Sequence, residues 1–277
     1  MVYLVFAIRR SSSGTILDEK GRRIMLKIEN TKIVGWDAAI RGMRNPMNSW
    51  KKSDTLFFCP SQGDIRKIVE GQDLELLSEI GPNDYKLMTS LRNAGTDHRK
   101  FMRMITVYMD ITAPLYWWKE FDTYKVGTVA NSCSTMHKIA SKEFTAADFS
   151  DEHLDDISGY EPEVRDMAPA IEIRADTISN HLLGPSDILN LTIKMLNRCR
   201  ELYLQTKNKV YWWQMIQLLP SSYNQLRTVM LNYEVLANIY KSRKDHKLDE
   251  WRTFCTDIKA FPYSELIIGG GKDCCAQ

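Results

Sequence analysis

The sequence contains no Walker loop, no GxGxxG, no HExxH and no GxSxG. The usual signatures of NTPases, Rossmann dinucleotide sites, zinc peptidases and serine hydrolases are therefore absent. Its six cysteines, at 59, 133, 199, 255, 274 and 275, form no CxxC pair and no zinc-type spacing with histidine. They read as free thiols in a reducing compartment, and no metal site is expected. No apolar stretch approaches the ~20 residues of a membrane span. The opening MVYLVFAIRRSSSG places a short apolar run before its charges, which is not the order of a signal peptide. Lys plus Arg is 37 and Asp plus Glu is 35, a net charge of +2, which argues against a polyanion binder. These absences predict a cytoplasmic protein with neither a membrane nor a nucleic-acid polymer as partner.

What is present is ordinary globular composition: 277 residues, 44% hydrophobic and 26% charged, with no repeat and no low-complexity tract. Strands are predicted at Val2 to Ile8 and Arg23 to Ile28. The clearest strand runs from Arg103 to Ile111, where Ile105, Val107, Met109 and Ile111 share one face and Thr106, Tyr108 and Asp110 the other. Helices are predicted from Trp36, over Asp64 to Ile80, from an N-cap at Asn83 to a C-cap at Gly95, and after Pro114. The longest begins at a Ser186 cap. Its stripe of Ile188, Leu191, Met195, Cys199, Leu202 and Tyr203 reads as core. Further helices end near Leu219–Pro220, hold Asn232 to Arg243, and run from Leu248 to Ala260. VGTVANSCST reads as a polar loop, and 143–166, with nine Asp or Glu against Arg165 alone, as a solvated acidic segment. Strands and helices mix without a βαβ rhythm, so the expected fold class is α+β, mostly antiparallel sheet packed against several long helices. A single domain over 1–262 and a flexible tail over 263–277, with its IIGGGK, complete the expected organisation.

Three segments are richer in polar function than packing requires: AGTDHRKF, YWWKEFDTYKVGTVANSCSTMHK, and QLLPSSYNQLRTVMLNYEVLANIYKSRKDHKLDEW. Aromatics, cations and hydroxyls in the second suit a planar ring with phosphates. An aromatic core helix with a solvated loop fits the same residues. In the third, Asn232, Asn238 and Arg243 do not share one strict helical stripe, which leaves capping and turn roles open.

In order and spacing these segments resemble the flavin-dependent thymidylate synthase family, ThyX. His98 falls at the histidine of that family's Gly-His motif, and Ala113–Pro114 opens the following helix without a gap. Thr123, Tyr124 and Lys125 occupy the Arg-His-Arg positions. With one inserted residue, Asn131 and Ser134 match the asparagine and second serine of the signature, and Met136 and His137 replace its Arg-Tyr. Leu219–Pro220 matches a Leu-Pro, while Ile216 stands where the family has a substrate-binding arginine. Asn232 and Arg243 match the ends of an Asn-x-Arg helix in which Glu234 replaces the arginine. His246 and Glu250 keep the following spacing. The likeness spans roughly residues 30 to 260.

The resemblance implies a homotetramer with sites at subunit interfaces, and transfer of a one-carbon unit to a pyrimidine deoxynucleotide. That is dUMP to dTMP or a close variant, with FAD as cofactor and NADPH and methylene-tetrahydrofolate as co-substrates. His98, Tyr124, Lys125, Asn131, Asn232 and Asn238 would hold FAD. Ser134, Lys138 and Arg243 would bind the nucleotide, with Arg243 and Ser134 in catalytic roles. Lys125 keeps charge but loses the guanidinium fork. Met136 and Ile216 remove two charge-assisted contacts, together about 3–6 kcal/mol, which Lys138, Lys142 or Arg227 would have to replace. Two other classes stay open: a module that binds a nucleotide without turnover, and an interaction protein whose aromatic helix is only core. Cys133, near Lys125 and Lys138, is either a thiol nucleophile or inert.

Overall fold

A computed structural model describes residues 6–8, 16–17, 23–24, 26–56, 79–154 and 184–269. The predicted helix over Asp64 to Ile80 lies outside these except for its last residues, as do Cys59, Cys274 and Cys275. The fold is α+β. Its frame is a five-stranded antiparallel sheet of β1 (Phe6–Ile8), β4 (Lys27–Val34), β5 (Thr106–Pro114), β6 (Val129–Ser132) and β7 (Asn224–Asn232), in the order β1-β4-β5-β7-β6. A separate hairpin joins β2 (Ile16–Leu17) to β3 (Arg23–Ile24). β5 and β7 pair along their whole length, from Thr106 opposite Asn232 to Pro114 opposite Asn224.

The alternation in β5 does what period two demands. Val107, Met109, Ile111 and Ala113 are buried, while Tyr108 is exposed on the other face. On that outer face Asp110 accepts hydrogen bonds from Thr228 Oγ1 at 2.6 Å and Asn30 Nδ2 at 2.7 Å. Against the inner face pack α1 (Trp36–Arg44), α2 (Pro82–Asn93), a 3-10 turn at Arg99–Arg103, α3 (Leu115–Phe121), and three helices after β7. These are α7 (Tyr233–Arg243), α8 (Asp249–Asp257) and α9 (Glu265–Ile268), numbered after α4 to α6 below. Trp117, Trp118, Phe121, Trp251 and Phe254 form the aromatic centre, with Trp117 and Trp251 centroids 4.7 Å apart. The helix after Pro114 is thus core.

A second apolar cluster lies under α5 (Pro185–Thr206) and α6 (Lys209–Leu218). Leu189, Ile193, Leu196 and Cys199 of α5 meet Met215, Phe144 and Phe149 there. This corrects the predicted stripe: Ile188, Leu191 and Met195 are 53%, 49% and 54% exposed, because the helix turns a different face inward. Residues 143–154 are the described part of the acidic segment. They supply Phe144 and Phe149 to this core and bury Glu152, so they are not a solvated strip. Residues 263–269 are likewise packed. Leu266 and Ile267 are buried, and Tyr263 accepts from the Ile80 amide at 2.7 Å.

Candidate functional site

The aromatic centre positions Arg243, in the last turn of α7. Its Nε donates to Tyr124 Oη at 2.9 Å and its Nη1 to Glu120 Oε2 at 2.6 Å. The guanidinium carbon sits 4.9 Å from the Trp251 ring centroid, and His246 Nε2 is 2.9 Å from Nη1. Two of the residues picked from the sequence, Tyr124 and Arg243, are therefore in direct contact across 119 positions. Glu120 was missed; its four-residue spacing from Tyr124 on a predicted helix was the available signal. It also accepts from Trp251 Nε1 at 2.9 Å, so it is the hub of this clamp. Among the described residues Nη2 of Arg243 makes no hydrogen bond and is the donor left for a ligand.

The chain after Tyr124 runs over the start of α7. Gly127 has φ 77°, and a Cβ there would lie 3.0 Å from Asn232 Nδ2 and 3.2 Å from Val235 Cγ2. Only glycine suits both that backbone and that approach. Asn232 caps α7, its side-chain oxygen accepting from the Val235 amide at 3.0 Å. Lys125 is exposed in this turn. The predicted loop then becomes β6, whose exposed Asn131 pairs opposite Thr228, four residues before the Asn232 cap. Within one protomer β7 connects the segment of Asn131 with the helix of Asn238: β6 pairs with it, and α7 follows directly from its end.

Glu234, in the first turn of α7, is buried and carries two arginines. Arg99 Nε donates to Oε1 at 3.3 Å. Arg103 grips both oxygens, through Nε to Oε2 and through Nη2 to Oε1 at 3.4 Å. Arg99 Nη2 also donates to Asn238 Oδ1 at 3.1 Å. His98, exposed, immediately precedes this turn. Neither arginine was singled out from the sequence, since a carboxylate partner 131 to 135 positions away leaves no local signal.

Ser134 caps α4 (Thr135–Lys138), accepting from the His137 amide at 3.0 Å. Of the three cations proposed as replacements, Lys142 is bonded to Asp148. Arg227 donates to Asp122 at 2.9 Å and lies 4.3 Å over the Trp118 ring. Lys138 is exposed and has no ion-pair partner among the described residues. Ile216 packs against the second core. Cys133 is exposed and its thiol makes no hydrogen bond among the described residues, whereas burial pushes the Cys255 thiol up to about 12. No hydrogen bond or ion pair among the described residues links Ser134 or Lys138 to Arg243. No group of three or more His, Cys, Asp or Glu among them is arranged to hold a metal ion.

The fold has counterparts among solved structures. Two structures of the flavin-dependent thymidylate synthase ThyX from Helicobacter pylori, each with FAD and dUMP, match 88% of this chain and 96% and 97% of their own. TM-scores are 0.52 and 0.53, at 13% sequence identity. The chain therefore has the ThyX fold. No family model matches the sequence, and no curated protein matches it. No helix among the described residues is long and apolar enough to cross a membrane.

Proposed function

We propose that the chain is a flavoenzyme that transfers a one-carbon unit to a pyrimidine deoxynucleotide, dUMP to dTMP or a close variant. FAD is the cofactor, and NADPH and methylene-tetrahydrofolate are co-substrates. One observation carries the reading: within a ThyX fold, the short segment from Tyr124 to Gly127 meets both ends of α7, with Arg243 of its last turn bonded to Tyr124 and the Gly127 turn lying on the Asn232 cap. The donor set suits the cofactor. The exposed amide at Asn131 matches a polar ring edge, and Asn238 with the guanidinium groups of Arg99 and Arg103 matches an anion.

Bound FAD supplies the hydride chemistry, and the protein orients and polarises. His98, Tyr124, Lys125, Asn131, Asn232 and Asn238 are assigned to holding it. Asn232 does so through the helix cap that fixes the Gly127 turn, and Tyr124 through the Arg243 clamp. Arg243, held over the Trp251 ring, offers Nη2 to a pyrimidine carbonyl. Lys138, which has no ion-pair partner among the described residues, is assigned to the nucleotide phosphate with the Ser134 hydroxyl. The exposed apolar stripe of Ile188, Leu191 and Met195 supports a homotetramer. An absorption spectrum of the freshly purified protein, followed by dUMP-dependent NADPH oxidation, tests the reading. Flavin bands and nucleotide-dependent oxidation are expected; a colourless protein with no affinity for added FAD overturns it.

A second reading, nucleotide binding without turnover, is favoured by one observation. Arg243 already spends Nε and Nη1 on Tyr124 and Glu120. Flavin and dUMP binding with no NADPH oxidation is its signature.

A further inference from the structure

The Glu234 cluster holds more cation than its carboxylate needs. A buried carboxylate must be paired, and the bidentate fork of Arg103 alone satisfies that demand. Arg99 adds a second guanidinium to the same group. Arg92 stands close enough to feel it: burial and then the charge of Arg99 lower the pKa of Arg92. Arg92 is itself spent on the carbonyls of Leu266 and Ile267, at 3.2 and 3.4 Å. Asp97, exposed, is the other anion acting on Arg103. Two guanidinium groups thus meet Glu234, a third stands behind Arg99, and exposed Lys100 lies in the same turn.

The surplus is presented outward. The Arg103 side chain is 53% exposed while Glu234 beneath it is 4% exposed. Among the described residues, Nη1 of Arg99, Nη1 of Arg103 and Nδ2 of Asn238 make no hydrogen bond. Buried Glu234 fixes Arg103 at two atoms and Asn238 fixes Arg99 at a third. The donors are therefore ordered before any ligand arrives, which lowers the entropy cost of binding one. Paired, pre-aligned guanidinium edges recognise phosphate oxygens.

We propose that Arg99, Arg103 and Asn238 form a phosphate-binding site, with Glu234 as its buried positioning residue, and that its ligand is the diphosphate of the flavin dinucleotide. The choice of the cofactor's phosphates over the substrate's rests on the flavoenzyme reading, in which Asn238 and His98 serve the cofactor.

The test titrates wild type and Arg103→Gln with FAD, FMN, riboflavin and dUMP, following flavin fluorescence or heat. Arg99 still pairs Glu234 in this variant, and an unchanged circular dichroism spectrum with a cooperative melt lowered by no more than a few degrees verifies folding. Loss of a charge-assisted contact should weaken FAD about 10- to 100-fold, with riboflavin and dUMP unchanged and FMN between. Arg103→Lys should recover part of the loss. Equal FAD affinity in wild type and Arg103→Gln overturns the site and leaves the flavoenzyme reading standing. A loss confined to dUMP overturns the choice of ligand. If wild type binds no flavin, that reading fails, and inorganic diphosphate decides the site. Binding weakened in Arg103→Gln supports it, and no difference between the two proteins sinks it. If Arg103→Gln melts early, salt dependence of wild-type binding decides. FAD affinity that falls with salt while riboflavin affinity does not supports the site, and equal slopes overturn it.

Discussion

Arg99 donates to Asn238 at 3.1 Å across 139 positions, from the same guanidinium that pairs Glu234. The turn before β5 and the helix after β7 are thereby locked together. Removing either arginine leaves Glu234 one partner, so Arg99→Ala and Arg103→Ala should each cost about 1 kcal/mol. Removing both strands a buried carboxylate and should cost about 3–5 kcal/mol. Urea unfolding of the two single variants and the double variant reads this directly. An additive double variant would show that the arginines do not share Glu234.

The Arg243 clamp makes a separate prediction. Arg243→Lys keeps the charge but loses the guanidinium contact over Trp251 and the fork to Tyr124 and Glu120. The ligand-free protein should lose about 1–3 kcal/mol, measured by thermal melting as ΔΔG at the wild-type midpoint. A variant as stable as wild type that fails only in nucleotide binding would assign Arg243 to ligand alone.

The contrast between β5 and β7 explains which parts were legible. In β5 every second residue is apolar and buried, so the period stands out. Its partner β7 begins Asn224, Gln225, Leu226, Arg227, and was not predicted as a strand. Gln225 is buried, donating to the Cys133 carbonyl at 2.9 Å, and half-buried Arg227 covers Trp118. Tertiary partners, not hydrophobicity, place them. β6 was read as a loop because all four of its side chains are exposed, and an edge strand without a buried face carries no alternation. In the site, spacing brought Tyr124, Asn232, Asn238 and Arg243 into view. Glu120, Arg99 and Arg103 act through partners remote in sequence and stayed hidden.

Asp84 is buried and accepts from Arg44 Nε at 2.6 Å, from the Ser53 hydroxyl at 2.7 Å and from the Thr55 hydroxyl at 2.6 Å. Burial pushes its pKa up, but the hydrogen bonds from Thr55, Ser53 and Arg44 outweigh it, and the net shift is downward. The folded state therefore holds this proton less tightly than the unfolded chain. The stabilisation is complete above the usual aspartate range and is lost as pH falls through the depressed value. Asp84→Asn should remove that acid-side slope in denaturant titrations. It should cost about 3–5 kcal/mol at neutral pH, since Arg44 is left buried without its partner.

Glu250 has the opposite sign. Burial, helped by the charges of Glu152 and Asp249, holds its carboxyl above the ordinary range against the hydrogen bond from Tyr116. Ser150 bridges Tyr116 and Glu152 at 2.9 Å on each side, and Asp249 is met by His153 and Arg252. The folded state binds this proton more tightly than the unfolded chain, so stability falls as pH rises through the raised value. Glu250→Gln keeps an acceptor for Tyr116 and removes the titration. Its stability should equal wild type at acid pH and exceed it above. A variant with the wild-type pH slope would show that another group carries it.

The stripe of Ile188, Leu191 and Met195 on α5 tests assembly. Three apolar side chains at spacings of three and four, each about half exposed, are ill suited to water. Their helix is anchored on its opposite face by Leu189, Ile193 and Leu196, so the stripe adds nothing to the fold of one protomer. Leu191→Glu should leave the circular dichroism spectrum and monomer stability within about 0.5 kcal/mol of wild type. In sedimentation velocity it should convert the oligomer into smaller species, because a charge at a packed apolar interface is left unpaired. A wild-type protein that sediments as a monomer, or a Leu191→Glu protein with an unchanged distribution, would place the assembly contact on another face.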